Sequence, residues 1–198
     1  STRYKVLLRA KNRCESCGVK STKKALEVDH IKPRTKGGKD ELSNYQALCY
    51  TCNSQKSNKD ETNFRKVLES YDYRKKKCIF CNIPKSEIIS TNELAAVIKD
   101  NYPVTKHHCL IIPKRHCVDY FDLYQPEINA ITQLINQTKK ELGKKDKSIK
   151  GFNIGNNSGE VAGQTIFHCH IHLIPRRRGD VVNPRGGVRR VIPSKQNY

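Results

Sequence analysis

The stretch "FHCHIHLIP", residues 167 to 175, sets a histidine at every second position: His168, His170 and His172. On an extended strand side chains alternate between faces, so the three imidazoles would share one ridge at about 7 Å spacing. Cys169, Ile171 and Leu173 would then pack on the other face. Clustered imidazoles serve either metal ligation or nucleophilic attack tuned by neighbours, and residue type alone leaves both open. Just upstream, "NIGNNSGEVAGQT" carries Gly155, Gly159 and Gly163. Such a loop can lay backbone N–H groups and small polar side chains against an anion. A glycine-rich loop that runs straight into alternating histidines points to phosphate.

A second chemistry lies in the cysteines. Six of the nine form Cys-x-x-Cys pairs: Cys14/Cys17, Cys49/Cys52 and Cys78/Cys81. The first two pairs supply the four thiolates of a closed tetrahedral zinc site. The chain between Cys17 and Cys49 becomes a loop fastened at its base. Two matched pairs are poorly explained as a redox dithiol. The third pair needs two more ligands. Cys109, Cys117 and Cys169 read as small apolar core residues.

These groups must be positioned by a modest amount of core. The chain has 198 residues, 36% of them hydrophobic, which suits one large domain or two small ones. Its formal charge is +19. Basic residues outnumber acidic ones 18 to 9 up to Lys75 and 20 to 10 beyond it. An evenly basic chain fits a polyanionic partner, because lysine and arginine release counterions from phosphates. No apolar run approaches the ~20 residues of a membrane span. The opening "STRYKVLLRAKNRC" lacks the long apolar core of a signal peptide. Paired cysteines without an export signal point to metal rather than disulfides, and a cytoplasmic location is expected.

Turns, cysteine pairs and short strand-like runs fill residues 1–58. A helical pattern with Phe64, Val67, Leu68 and Tyr71 then runs into a lysine cluster, so 59–77 reads as a linker helix. Residues 78–198 form a second unit, with strands expected at "LAAVI", "CLIIP", "FNIGNN" and "IFHCHIHLIP". "PEINAITQLINQTKKEL" opens on Pro126 and keeps helical spacing, so it is expected to be a helix. Two α+β units in tandem are predicted. The first, about 60 residues, is too small to rest on its core alone and needs the metal brace.

Within the first unit, "EVDHIKPRTKGG", "LSN" and "CYTCNSQK" occur in order between and around the cysteine pairs. Over residues 3–58 the chain resembles the HNH endonuclease family, and the resemblance implies a ββα-metal fold. It implies that His30 is the general base activating water against a DNA phosphodiester, with Asn44 orienting its ring. Asp29 and Asn53 would hold a divalent cation, Mg or Mn, at the scissile phosphate. Many relatives carry histidine where this chain has Asn53, and the weaker amide ligand leaves the choice of metal open.

From Cys78 onward, "CIFCNI", "PVTKHHCLIIPKRH", "GFNIGNNSGEVAGQTIFHCHIHLIPR" and "NPRGGVRRVIP" resemble the histidine-triad (HIT) superfamily of nucleotide hydrolases and transferases. The resemblance implies an α+β domain with an antiparallel sheet. His170 would attack the α-phosphorus of an AMP-type purine nucleotide and form a nucleotidyl-histidine. His172 would contact the phosphate, Gln164 and Thr165 the bridging region beside Gly163, Asn157 the α-phosphate, and Asp100 the ribose hydroxyls. A second zinc would join Cys78 and Cys81 to His116 and His168, with His107 and His108 as rival ligands. "TKHH" puts His107 where the family usually has glycine. Members often pair through their sheets, so a homodimer is expected.

Two whole-protein readings follow from these resemblances. One is a bifunctional enzyme, a DNA endonuclease joined to a nucleotide hydrolase, serving DNA repair or phage defence. The other is a HIT hydrolase, or nucleotide sensor, whose zinc module only binds nucleic acid.

Overall fold

The computed structural model describes residues 1–196, so the last two residues of the expected 78–198 unit lie outside the described residues. The chain divides between Tyr73 and Arg74 into two compact units.

In the N-terminal unit, Ser1 starts helix α1 (Thr2–Arg9) by accepting the Tyr4 N–H on its hydroxyl. Val6 and Ala10 turn inward onto Ala47, beside Val28. Strands β1 (Leu26–His30) and β2 (Tyr45–Cys49) pair antiparallel, from Leu26 opposite Cys49 to His30 opposite Tyr45. Helix α2 (Tyr50–Lys56) follows β2 without a break. A two-stranded ribbon is marginal alone. Its apolar cluster is small and made partly of cysteines: Cys14, Leu26, Leu48 and Cys49.

The segment expected to link the units does something else. Helix α3 is only Phe64–Ser70, capped by the Asn63 side chain, and it packs back on the N-terminal unit. Phe64 joins the Cys14–Leu48 cluster, its N–H donates to Gln46 Oε1 at 3.0 Å, and the Tyr71 hydroxyl donates to the Ser16 carbonyl at 2.7 Å. The helix is amphipathic because it closes a core that α1 and the ribbon leave open.

The C-terminal unit is an antiparallel five-stranded sheet against one long helix. Strands β3 (Ile88–Thr91), β4 (Ala95–Lys99), β5 (Cys109–Pro113), β6 (Ile149–Gly155) and β7 (Ile171–Arg177) take the order β3-β4-β5-β7-β6. Helix α4 (Gln125–Lys145) has Pro126 in its first turn, where the missing N–H costs nothing. Ile131, Leu134 and Leu142 pack on Ala95, Val97, Cys109, Ile111, Ile171 and Leu173. The opposite sheet face carries Ile98, Leu110 and Ile112 under Phe80. The fold is mixed α+β, with the antiparallel sheet in this second unit.

Candidate functional site

Both candidate zinc clusters are assembled by the fold. Cys14, Cys17, Cys49 and Cys52 bring their sulfurs together, as Cys78, Cys81, His116 and His168 do their sulfurs and ring nitrogens. Cys17 and Cys49 sulfurs lie 3.8 Å apart, close to the edge of about 3.8 Å that a tetrahedron with ~2.3 Å Zn–S bonds requires. In the second cluster the His168 Nδ1 lies 3.4 Å from Cys78 Sγ and 3.5 Å from Cys81 Sγ, and His116 Nδ1 lies 3.4 Å from Cys81 Sγ. Both donor sets fit zinc. In the first, hydrogen bonds from Cys17 and Cys52 push Cys14 down, while the hydrogen bond with Cys14 pushes Cys17 and Cys52 up. A dication bound among these sulfurs would favour the ionised form of all four.

In the N-terminal unit, β1 carries Asp29 and His30 into a loop that returns at Tyr45. Asn44 ties that loop at two points. Its Oδ1 accepts the Lys32 N–H at 2.9 Å, and its Nδ2 donates to the carbonyls of Lys32 and Lys39. The His30 ring is met by another residue, Asp40, whose Oδ1 lies 2.8 Å from His30 Nε2. Expected contact between Asn44 and His30 is thus replaced by a side chain four residues earlier, because Asn44 spends its amide on main chain. Asp29 Oδ2 accepts from Gln46 Nε2 and pairs with Lys56 Nζ, both at 3.1 Å. Asn53 Nδ2 donates to Glu27 Oε2 at 2.7 Å. The oxygens of Asp29 and Asn53 are hard donors suited to Mg or Mn, although buried Lys56 already balances part of the Asp29 charge.

In the C-terminal unit the three imidazoles do share a side, opposite Cys169, Ile171 and Leu173, which pack under α4. They are not all on a strand. β7 begins at Ile171, so His168 and His170 precede it. The ladder with β5 stops there, its last pair being Ile111 opposite Ile171, although β5 runs on to Pro113 against β4. The Cys169 N–H goes instead to the Cys117 carbonyl at 2.8 Å, which keeps the alternation.

Main-chain carbonyls set the protons on these rings. His170 Nδ1 lies 2.8 Å from the His168 carbonyl, so it must carry the hydrogen and leave Nε2 with a lone pair. His168 Nε2 likewise lies 2.9 Å from the Pro113 carbonyl, which frees Nδ1 to face the cysteines. Phe80, inside the Cys78–Cys81 turn, stands edge-on to both rings at 6.0 Å and 5.2 Å between centroids. The knuckle therefore braces the ring of His170 by packing. Burial pushes His168 and His172 down to about 4, so both are neutral at physiological pH.

Asp100, His108 and His172 form a third group. His108 Nε2 lies 3.0 Å from His172 Nδ1 and 3.4 Å from Asp100 Oδ2. The Val104 N–H donates to His108 Nδ1 at 3.3 Å, which puts the ring hydrogen of neutral His108 on Nε2. In that form the His108 Nε2–H faces both His172 Nδ1 and Asp100 Oδ2. Asp100 Oδ1 also accepts the Tyr102 N–H at 2.8 Å.

The glycine loop behaves as expected in its backbone and differently in one side chain. Gly159 and Gly163 take positive φ, +88° and +87°. Asn157 Nδ2 reaches the Gly163 carbonyl at 3.4 Å. Gln164 is buried and occupied at both ends, its Oε1 by the Gly159 N–H and its Nε2 by the carbonyls of Val118 and Ile166. It props the loop rather than facing outward, while Thr165 is exposed.

A family model for the HIT domain matches residues 82–179, and one for HNH endonuclease matches residues 14–59. An uncharacterised HIT-like protein of Mycoplasma genitalium is 39% identical over 103 residues, half of this chain and 72% of its own length. The chain belongs to the HIT family. It carries an HNH endonuclease domain ahead of the HIT domain. Among HIT relatives, the adenosine 5′-monophosphoramidase hnt1 of Schizosaccharomyces pombe is 31% identical, covering 50% of this chain and 74% of its own. The crystal structure of a Zn-bound histidine triad family protein from Mycobacterium smegmatis superposes with a TM-score of 0.50 at 32% identity, over 54% of this chain and 80% of that one.

Against the HIT pattern, His107 keeps the left-handed backbone that glycine usually supplies, with φ +71°. Its ring approaches Asp146 and takes no place in the zinc cluster, whose histidines are His116 and His168. The residues missed in the sequence are Asp40, Glu27, Lys56 and the role of His108. Only His108 carried a signal there, as a histidine next to the family's usual glycine position. Among the described residues no helix is long and apolar enough to cross a membrane.

Proposed function

We propose that the HIT domain hydrolyses an AMP-type purine nucleotide ester, phosphoramidate or anhydride through a nucleotidyl-His170 intermediate, and that the HNH domain cuts DNA. The observation that carries the first half is the bond from His170 Nδ1–H to the His168 carbonyl. It leaves the Nε2 lone pair as the nucleophile, on the same side as His172. In the first step Nε2 forms a bond to the α-phosphorus and the leaving group departs with its electron pair. Water then attacks the same phosphorus, the P–N bond breaks, and the nucleoside monophosphate leaves. His108 holds the Nδ1 side of His172, so that its Nε2–H can donate to a phosphate oxygen as charge grows there. Asp100 is the carboxylate for the ribose hydroxyls and Asn157, with Gly163 and Thr165, lines the phosphate loop. The phosphoramidase activity named for the fission-yeast relative supports this substrate class.

Incubating the protein with AMP phosphoramidate and diadenosine polyphosphates tests it. AMP release is expected from wild type, falling by about three orders of magnitude or more in His170→Ala. Equal release from both proteins would remove the nucleophile.

For the HNH domain, His30 supplies the base and Asp29 with Asn53 would hold Mg or Mn, which offsets charge on the leaving oxygen when bound. The net charge of +19 supports DNA as the partner. Nicking of supercoiled plasmid with Mg or Mn, lost in His30→Ala, is the expected result. A metal-loaded wild type that never cuts would favour the second reading, a HIT hydrolase with a zinc module that only binds nucleic acid. The bifunctional reading places the protein in the cytoplasm, paired through its sheets as a homodimer and serving DNA repair or phage defence.

A further inference from the structure

The loop between β1 and β2 offers more than the expected HNH residues. Asp40 Oδ1 is shared by His30 Nε2 at 2.8 Å and the Tyr45 hydroxyl at 3.2 Å, while Oδ2 meets Arg34 at 3.5 Å. The Tyr45 ring packs on His30 at 4.8 Å between centroids. Behind Asp40 the loop is tight. A Cβ at Gly38 would sit 1.8 Å from the Lys32 carbonyl, and Asn44 Nδ2 pins the Lys39 carbonyl next to Asp40.

We infer that Asp40 is the positioning residue of the HNH site: its carboxylate holds the Nε2–H of His30, which leaves Nδ1 as the base nitrogen. An ionised carboxylate can only accept, so the ring nitrogen facing it must carry the proton. The hydrogen bond with His30 is also the first reason the Asp40 acid is held below the ordinary carboxylate range. The carboxylate further stabilises the imidazolium that forms when Nδ1 takes a proton from water, the part an aspartate plays behind a catalytic histidine elsewhere. Asn44 acts one step further back, because it fixes the main chain that delivers Asp40. This inference rests on the HNH domain being a nuclease, and it assigns the ring's orientation to a residue with an exposed side chain.

A carboxylate near DNA repels phosphate, so deleting one for electrostatic reasons alone should improve binding. Orientation predicts another outcome. In plasmid nicking with Mn, Asp40→Ala is expected to lower kcat on the order of tenfold to a hundredfold, with KM unchanged or lower. Arg34→Ala, which removes only the weaker support, should cost a few-fold. Asp40→Glu, which keeps an acceptor on a longer arm, should recover part of the loss. Nitrogen-15 NMR of His30 in the full chain, without DNA, should show a protonated Nε2 with a slowly exchanging hydrogen that Asp40→Ala loses. A wild-type kcat in Asp40→Ala, or a loss confined to KM, overturns the inference. So does a His30 Nε2–H that exchanges equally fast in wild type and variant. If no protein cuts DNA while the NMR difference is present, the nuclease reading fails and the Asp40–His30 pairing stands.

Discussion

In the HIT domain the ring of His170 is held by a main-chain carbonyl 2.8 Å from its Nδ1, whereas His30 in the HNH domain is held by the side chain of Asp40 at the same distance. The first device comes with the backbone and survives most substitutions. The second depends on one exposed residue delivered by a loop. The cores differ in the same direction. Among the described residues, a cluster of twelve buried ones, nine of them from the sheet and the long helix, supports the HIT histidines, while the HNH ribbon rests on a cluster in which two of the four buried members are cysteines of the candidate zinc site. A large core frees main chain to do the positioning, and a small one hands that work to metal and side chains.

The widest test of this contrast is metal removal. Chelation, or Cys49→Ser, is expected to unfold the HNH domain outright, since structural zinc in such modules supplies about 10–16 kcal/mol of apparent binding energy. The HIT sheet should persist, because its candidate zinc ligands lie outside its main cluster. Its loss should be local: the Cys78–Cys81 turn loosens, and Phe80 no longer fixes the ring of His170. Amide resonances of the two domains, followed during titration with a chelator, check this. Joint collapse of both domains would break the contrast.

How much of this was legible beforehand follows the same divide. Cysteine spacing, the Asp29-His30 pair, the histidine alternation and the Pro126 helix start are local signals, and each has its counterpart in the structure. What was hidden depends on partners far along the chain. Helix α3 reads as a linker because nothing local says that Phe64 completes a distant cluster. The start of β7 at Ile171 is set by where its pairing with β5 stops, at Ile111. Gln164 reads as a ligand contact, yet the Val118 carbonyl, 46 residues earlier, claims its amide. Asp40 looks like any polar turn residue until the loop folds.

A buried ion pair sharpens the contrast at middle range. Glu127, fully buried in the first turn of α4, takes two hydrogen bonds from Arg115 at 3.0 Å and 2.7 Å. Arg115 also stacks on Tyr124 at 4.3 Å. Breaking such a pair strands a charge, so Glu127→Ala should cost about 3–5 kcal/mol of HIT-domain stability. Denaturant unfolding that follows HIT-domain signals reads it. The HNH transition should not move, and a loss below about 1 kcal/mol would mean that Arg115 finds water or another partner.

The smallest expected effect compares one turn in each domain. The HNH loop meets its left-handed position with Gly37, at φ +80°, and the HIT domain meets its own with His107, at φ +71°. A side chain in that region costs roughly 1–2 kcal/mol, part of which glycine returns through the freedom it gains in the unfolded chain. His107→Gly should therefore raise HIT-domain stability by about 0.5–1 kcal/mol. Little is lost in exchange. The ring stays 3.9 Å from Asp146, and burial, with Lys145 nearby, lowers the His107 pKa and keeps the ring largely neutral. The mirror change, Gly37→Ala, meets no atom within 4 Å, so its cost of about 1 kcal/mol should be backbone strain alone. Thermal shifts of opposite sign in the two domains are the expected result. If His107→Gly destabilises, the ring contributes contacts worth more than the strain, and the HIT turn is held by its side chain just as the HNH loop is held by that of Asn44.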